Sequence, residues 1–190
     1  MKAQKEQKAQ KEQPPKGECI VYQQGAQTIY LERLQNTFAT RYRDELGQTV
    51  DQALHQLGQV EVSEGQHLII VRFDDEQRAA AALEQLRGWL EADMVEFVTP
   101  VLRESESHVI QILTDEITVR FKSQPSSGRL QAIQQQYAIS VSHQNEFVPT
   151  QFIVKVARPF GLRTLEIASE LDTVEGVSFA APNFISQHQR

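Results

Sequence analysis

The chain carries one pattern twice. Met94-Val95-Glu96-Phe97-Val98-Thr99-Pro100 and Gly176-Val177-Ser178-Phe179-Ala180-Ala181-Pro182 lie 82 positions apart, with hydrophobes and proline in register. A repeat of that length constrains the fold strongly, because each copy must be one supersecondary unit with its own apolar face to cover. The second copy is the clearer one. Residues 116–122 alternate apolar and polar, as a half-buried strand does. Pro125, Ser126, Ser127 and Gly128 break it. Ser126 or Ser127 can cap a helix that starts near Arg129 and carries Leu130, Ile133 and Tyr137 on one side. Short strands follow at 138–143 and 150–157, around a polar turn at 144–149. A helix is predicted over 162–173, with the stripe Leu162, Leu165, Ala168 and Leu171. A last strand runs over 176–181 and is expected to stop at Pro182.

The first copy gives the same order. It has strands at 36–43, 59–62, 67–73 and 95–101, and helices at 46–57 and 76–92. The first helix shows Leu46, Val50, Ala53, Leu54 and Leu57 on one face, and the second shows Ala79, Ala82, Leu83, Leu86 and Leu90. The order β-α-β-β-α-β is the split βαβ, or ferredoxin-like, plan. The expected fold class is therefore α+β, with two ferredoxin-like modules on antiparallel sheets and a disordered N-terminal tail. The expected division is 1–16 for the tail, 17–103 for the first module and 104–190 for the second. Residues 104–115 serve as a connector or a shared edge strand.

Composition matters where it excludes classes. The tail is a Lys/Gln/Glu repeat closed by Pro14-Pro15, with too little apolar surface to offset the entropy of ordering. It carries net +3, residues 17–103 carry net −7 and residues 104–190 carry net −2. The overall charge of −6 leaves no electrostatic footprint for nucleic acid. No run reaches the roughly 18 apolar residues that a membrane span needs, so neither partner is expected. A single Cys makes no internal disulfide. With no apolar core in the first 16 residues, no signal peptide and a cytoplasmic location are expected.

The chemistry of a catalytic centre is not visible. His55, His67, His108, His143 and His188 are scattered, and none lies within five residues of another His or of Cys19. No metal-ligand spacing results, so no metal and no cofactor are expected. No Walker loop, G-x-G-x-x-G or G-x-S-x-G occurs. Asp74-Asp75 and Asp115-Glu116 sit at element starts, where acids favour helix N-termini or turns. Cys19 reads as an incidental thiol, and Gln134-Gln135-Gln136 as a solvated helix face.

The second copy resembles the propeptide domain of subtilisin-like serine proteases. The likeness rests on Leu113-Thr114-Asp115 leading into Ile117-Thr118-Val119-Arg120-Phe121-Lys122, and on the helix before Ala138-Ile139-Ser140-Val141. Its most specific part is the ending Val174-Glu175-Gly176-Val177-Ser178-Phe179-Ala180-Ala181-Pro182-Asn183-Phe184. That ending is similar to the family's Gly-Val-x-Tyr-Ala-Glu-Pro-Asn-Tyr close, with Ala181 in place of Glu and Phe in place of Tyr twice. The likeness covers 113–184 well and 36–102 by analogy. A two-part region of this kind resembles what precedes the catalytic domain in some bacterial subtilases. The family's Asp-Ser/Thr-Gly, His-Gly-Thr-His and Gly-Thr-Ser-Met-Ala blocks are missing, so no Ser-His-Asp chemistry is expected.

The resemblance implies an inhibitor of a subtilisin-like serine protease, a folding helper of the intramolecular-chaperone type, or both, acting in cis or in trans. The sheet would dock on the protease. The tail Pro182, Asn183, Phe184, Ile185, Ser186, Gln187, His188, Gln189 and Arg190 would enter its cleft; residues 184–190 span at most about 23–25 Å. Strict alternation along the strands gives the exposed sheet face. In the second copy it holds Thr118, Arg120, Lys122, Ile153, Lys155, Ser178 and Ala180. In the first it holds Leu68, Ile70, Arg72, Glu96 and Val98. Leu68, Ile70 and Val98 would form an apolar patch, which marks an interface, either with a partner or between the two copies. A rival reading is a regulatory or interaction module of ferredoxin-like fold that binds a small molecule such as an amino acid, with 123–128 as its loop. An acid–base enzyme has little support.

Overall fold

The computed structural model describes residues 19–24, 27–42, 47–63 and 67–187. The expectation for the tail 1–16 lies outside them. The described chain is α+β, with four helices and one largely antiparallel sheet. The elements in order are β1 (Cys19–Gln24), β2 (Gln27–Tyr42), α1 (Gly47–Leu57), β3 (Gln59–Ser63), β4 (Leu68–Arg72), α2 (Glu76–Glu91) and β5 (Val95–Glu104), then β6 (Ile110–Phe121), α3 (Ser127–Tyr137), β7 (Ile139–Gln144), β8 (Gln151–Val156), α4 (Arg163–Asp172) and β9 (Val177–Gln187).

Local chemistry sets the helices. Val50 and Leu54, one turn apart on α1, are fully buried. Gly58 then ends the helix where a Cβ would sit 2.7 Å from the Arg72 carbonyl oxygen, so only glycine fits. Asp75 caps α2 by accepting from Arg78 N–H at 2.7 Å. The helix buries Ala79, Ala82, Leu86 and Leu90. Ser126 caps α3 through Arg129 N–H at 3.3 Å, and Ala138 leaves the helix in the left-handed region at φ 52°. On α4 the stripe is wider than expected, burying Thr164, Leu165, Ile167, Ala168 and Leu171.

The sheet runs β3-β4-β2-β5-β6-β8-β7, with β1 added to β2 and β9 added to β6. The strand order repeats. β5 pairs with one side of β2, while β1 and β4 share the other side. Likewise β9 pairs with one side of β6, while β5 and β8 share the other. Residues 104–115 are therefore an interior hairpin, pairing Val101 with Ile112 and Arg103 with Ile110, and not an edge. The β1–β2 hairpin is absent from the sequence reading, which starts its first strand at 36.

Pro182, expected to stop the last strand, does not, and Pro100 lies within a strand as expected. β5 passes through Pro100 to Glu104, and β9 passes through Pro182 to Gln187. Both sit beside a break in register. Residues 34–37 of β2 face Val101 alone, and residues 114–116 of β6 face Asn183 alone. An irregular ladder tolerates a residue without an N–H.

Each half has its own core between sheet and helices. One packs Phe38, Val50, Leu54, Leu86 and Val98; the other packs Ile117, Ile133, Phe152, Ile167 and Leu171. A third cluster, on the opposite sheet face, joins Ala39, Leu68, Phe97 and Val101 to Ile110 and Ile112. A fourth gathers Ile29, Leu31 and Leu102 with Tyr22, Leu162 and Phe184. Both of the last two draw side chains from both halves.

Candidate interaction face

Side chains at register-paired positions project to the same side of a sheet. In the second half one such row is Gln151, Arg120 and Phe179, and the next is Ile153, Thr118 and Ala181. Lys155 pairs with Glu116 further along. This face is not packed away. Arg120 is exposed, while Thr118, Ile153, Lys155, Phe179 and Ala181 are half-buried. It offers Arg120, Lys155 held by Asp115 at 3.3 Å, and a few apolar side chains. At its border, the β7–β8 turn presents Phe147 at 92% exposure. That turn is held in shape, because Asn145 Oδ1 accepts from Phe147 N–H at 2.9 Å and from Val148 N–H at 3.0 Å. An exposed aromatic on a fixed turn is the kind of anchor that interfaces use.

Two expected face residues lie elsewhere. Val98 is 1% exposed and Ala180 is 6% exposed, both in the cores beneath the helices. The cause is a bulge at the same place in each half. Arg41 pairs with Phe97 but Tyr42 pairs with Val95, leaving Glu96 extra; Arg120 pairs with Phe179 but Phe121 pairs with Val177, leaving Ser178 extra. Beyond an extra residue, alternation inverts. Phe97 and Phe179 take the outward positions that strict alternation gives to Val98 and Ala180. Ser178 is exposed, as is Lys122; Glu96 is half-buried against Arg41 at 3.5 Å.

In the first half, Leu68 is fully buried and Ile70 half-buried, packed with Ile110, Ile112 and Ile185. Leu68 and Ile70 of the apolar patch read from the sequence are thus covered by the other half of the chain, while Val98 lies beneath the helices. Arg72 is exposed.

The expected tail is sheet for most of its length. Phe184, Ile185, Ser186 and Gln187 pair with Leu113, Ile112, Gln111 and Ile110. His188, Gln189 and Arg190 lie outside the described residues. Asn183 fastens the irregular stretch: Thr114 Oγ1 donates to its carbonyl at 3.0 Å, Thr118 Oγ1 donates to its Oδ1 at 2.8 Å, and its Nδ2 donates to Glu116 Oε2 at 3.3 Å. Nearby, a cavity of about 540 Å³ is lined by Tyr22, Arg41, Glu116, Asn183, Phe184 and Ser186. Burial, and secondarily the Glu104 carboxylate, push the Tyr22 phenol above its usual range. Tyr22 also meets the Phe184 ring at 5.6 Å, across the seam between the halves.

Sequence reasoning misses Phe97, Phe179 and Phe147 as determinants, and it places Asn183 in the cleft-entering tail where the structure makes it a clamp on β6. A polar Asn after Pro182, where the first copy has Val101, is the one signal that could have marked the clamp. Among the described residues, no group of three or more His, Cys, Asp and Glu could hold a metal ion, and no helix is long and apolar enough to cross a membrane. A scan against protein-family models and a search of curated proteins found no match to this chain.

Proposed function

We propose that this chain is a non-catalytic docking protein built from two ferredoxin-like modules. Its second module binds the catalytic domain of a subtilisin-like serine protease, as inhibitor, folding helper or both. The observation that carries this reading is the second-half face of exposed Arg120 and half-buried Thr118, Ile153, Lys155 and Phe179, opposite a helix-covered core. The repeated strand order supports the two-module part. A mixed face with an aromatic and two cations suits a polar-rimmed interface better than it suits water alone. The protease itself is taken from the resemblance of 113–184.

The paired tail changes how the cleft would be reached. With β9 extending to Gln187, the stretch 188–190 spans at most about 11 Å. Entry of 184–187 into the cleft needs the end of β9 to peel from β6 and join the protease as an added strand. Removing 184–190 would strip Phe184 and Ile185 from two apolar clusters, so that truncation reports on folding as well as binding. The discriminating variant removes only His188, Gln189 and Arg190. The expected outcome is an inhibition constant at least tenfold weaker with the unfolding midpoint retained. Unchanged inhibition by this variant would remove the tail from the mechanism.

A further inference from the structure

An open strand edge is a template for another strand unless something blocks it. Several edges of this sheet are blocked. On β7 a bulge falls between Val141 and His143, and Gln134 Oε1 accepts from Val141 N–H at 3.2 Å. On β9, Asp172 Oδ1 accepts from Ala180 N–H at 2.8 Å, and Pro182 has no N–H to offer. Beside β5, the segment 159–161 covers Val98. Val98 N–H donates to the Pro159 carbonyl at 3.1 Å, and the Val98 carbonyl accepts from Gly161 N–H at 2.8 Å. β3 is five residues long and carries exposed Glu61.

β1 has none of these devices. Its sequence, Cys-Ile-Val-Tyr-Gln-Gln, holds no charge, proline or glycine. Its register with β2 is unbroken, and among the described residues no strand pairs with its far side. The direction of its backbone groups follows from β2. The Tyr30 carbonyl accepts from Ser105 N–H at 3.0 Å, just past the end of β5, so it points away from β1. Val21, the register partner of Tyr30, therefore turns its own N–H and C=O to the open edge. Cys19 and Gln23, two positions to either side, do the same. Among the described residues, two of the three exposed large hydrophobic side chains lie here, Val21 at 52% and Tyr30 at 46%. As register partners they share one face of the hairpin.

We propose that β1 pairs antiparallel with β1 of a second copy of this chain, about a two-fold axis at Val21. The edge itself selects this occupant. With Val21 opposite Val21 and Cys19 opposite Gln23, every outward backbone group of one copy meets one of the other, two bonds per pair. That is the self-complementarity a two-fold interface requires. The two strands bring no like charges together, and the nearby Glu32 is already held by Arg103 at 2.6 Å. Tyr30, Val21 and the same two residues of the second copy form one apolar row across four strands, which takes both exposed side chains out of water. A single short edge is a small contact, so the affinity is in the micromolar range or weaker.

The pairing lies in the first half and uses none of Thr118, Arg120, Ile153, Lys155 or Phe179, so its failure leaves the protease reading untouched. The test is sedimentation of the full chain up to millimolar concentration, with amide hydrogen exchange read by NMR over the same series. The expected result is a monomer–dimer equilibrium in which the Val21 and Gln23 amides gain at least threefold protection, more than the Ile20 and Tyr22 amides that face β2. Val21→Lys sets like charges opposite each other at an exposed position; it is expected to keep the unfolding midpoint of the dilute chain and weaken the dimer at least tenfold. Val21→Pro removes only an outward N–H and is expected to do the same. A chain that stays monomeric at millimolar concentration would overturn the proposal. A dimer undiminished by Val21→Lys, or one in which Val21 exchange is independent of concentration, would overturn it in favour of another surface.

Discussion

Arg41, Leu68 and Phe97 hold the same register positions in the first half that Arg120, Gln151 and Phe179 hold in the second. Their surroundings differ sharply. Leu68 and Phe97 are fully buried, whereas Gln151 and Phe179 are half-buried and Arg120 is exposed. The neighbouring positions follow suit. Ala39 and Val101 sit in the shared apolar cluster, where the second half has Thr118 and Asn183 bonded to each other. One sheet face has become internal, covered by Ile110, Ile112 and Ile185 from the other half. The same face in the second half has no such cover among the described residues. The side-chain sets differ accordingly: the first half's face is apolar and buried within the chain, and the second half's is mixed and partly exposed.

Substitutions at equivalent positions test that contrast. Phe97→Ala should cost about 3–5 kcal/mol, as for a fully buried aromatic, whereas Phe179→Ala should cost about 1 kcal/mol, for a half-buried one. Urea unfolding of both variants measures the difference, and equal losses would erase the distinction between the faces. Next in size, Asn183→Ala removes two side-chain hydrogen bonds at the irregular stretch and should cost about 1–2 kcal/mol in the same assay. The reciprocal Val101→Asn should cost at least as much, because it places an amide in an apolar cluster. Arg120→Ala should shift stability by less than about 0.5 kcal/mol, as an exposed residue does.

The smallest effect concerns the seam. Tyr22 has its folded-state pKa raised, by burial first and Glu104 second. The folded state therefore favours the neutral phenol. Its contribution is fully present below the ordinary phenol value of 10.0 and is lost as pH rises through the raised folded value. Thermal unfolding between neutral and strongly alkaline pH should show this loss, and Tyr22→Phe should flatten it. An unchanged alkaline slope in that variant would mean that the phenol takes no part in the seam.

Much of this architecture is legible in residue patterns, for identifiable reasons. Helices α2 and α4 announce themselves through apolar periodicity, and α3 through Ser126 and the break before it. Residues 20, 22, 29 and 31 alternate too, yet the β1–β2 hairpin is hidden among polar residues of a Gln-rich stretch. The bulges at Glu96 and Ser178 cannot be read from alternation, because one extra residue leaves the local pattern intact while inverting all that follows. For the same reason Val98 and Ala180 are assigned to the wrong face and Phe179 is missed. Pro182 misleads in another way. Its missing N–H argues for a strand end, but the break opposite Asn183 needs no donor there, so the presumed free tail is sheet as far as Gln187.

The claim that the second-half face is a docking surface is tested most directly by titrating a subtilisin-like protease with the full chain and with the double variant Arg120→Glu, Phe179→Ser. The account predicts inhibition by the unaltered chain, at least tenfold weaker for the double variant, with both proteins folded by circular dichroism. No inhibition by the unaltered chain, or equal inhibition by the two, would contradict it.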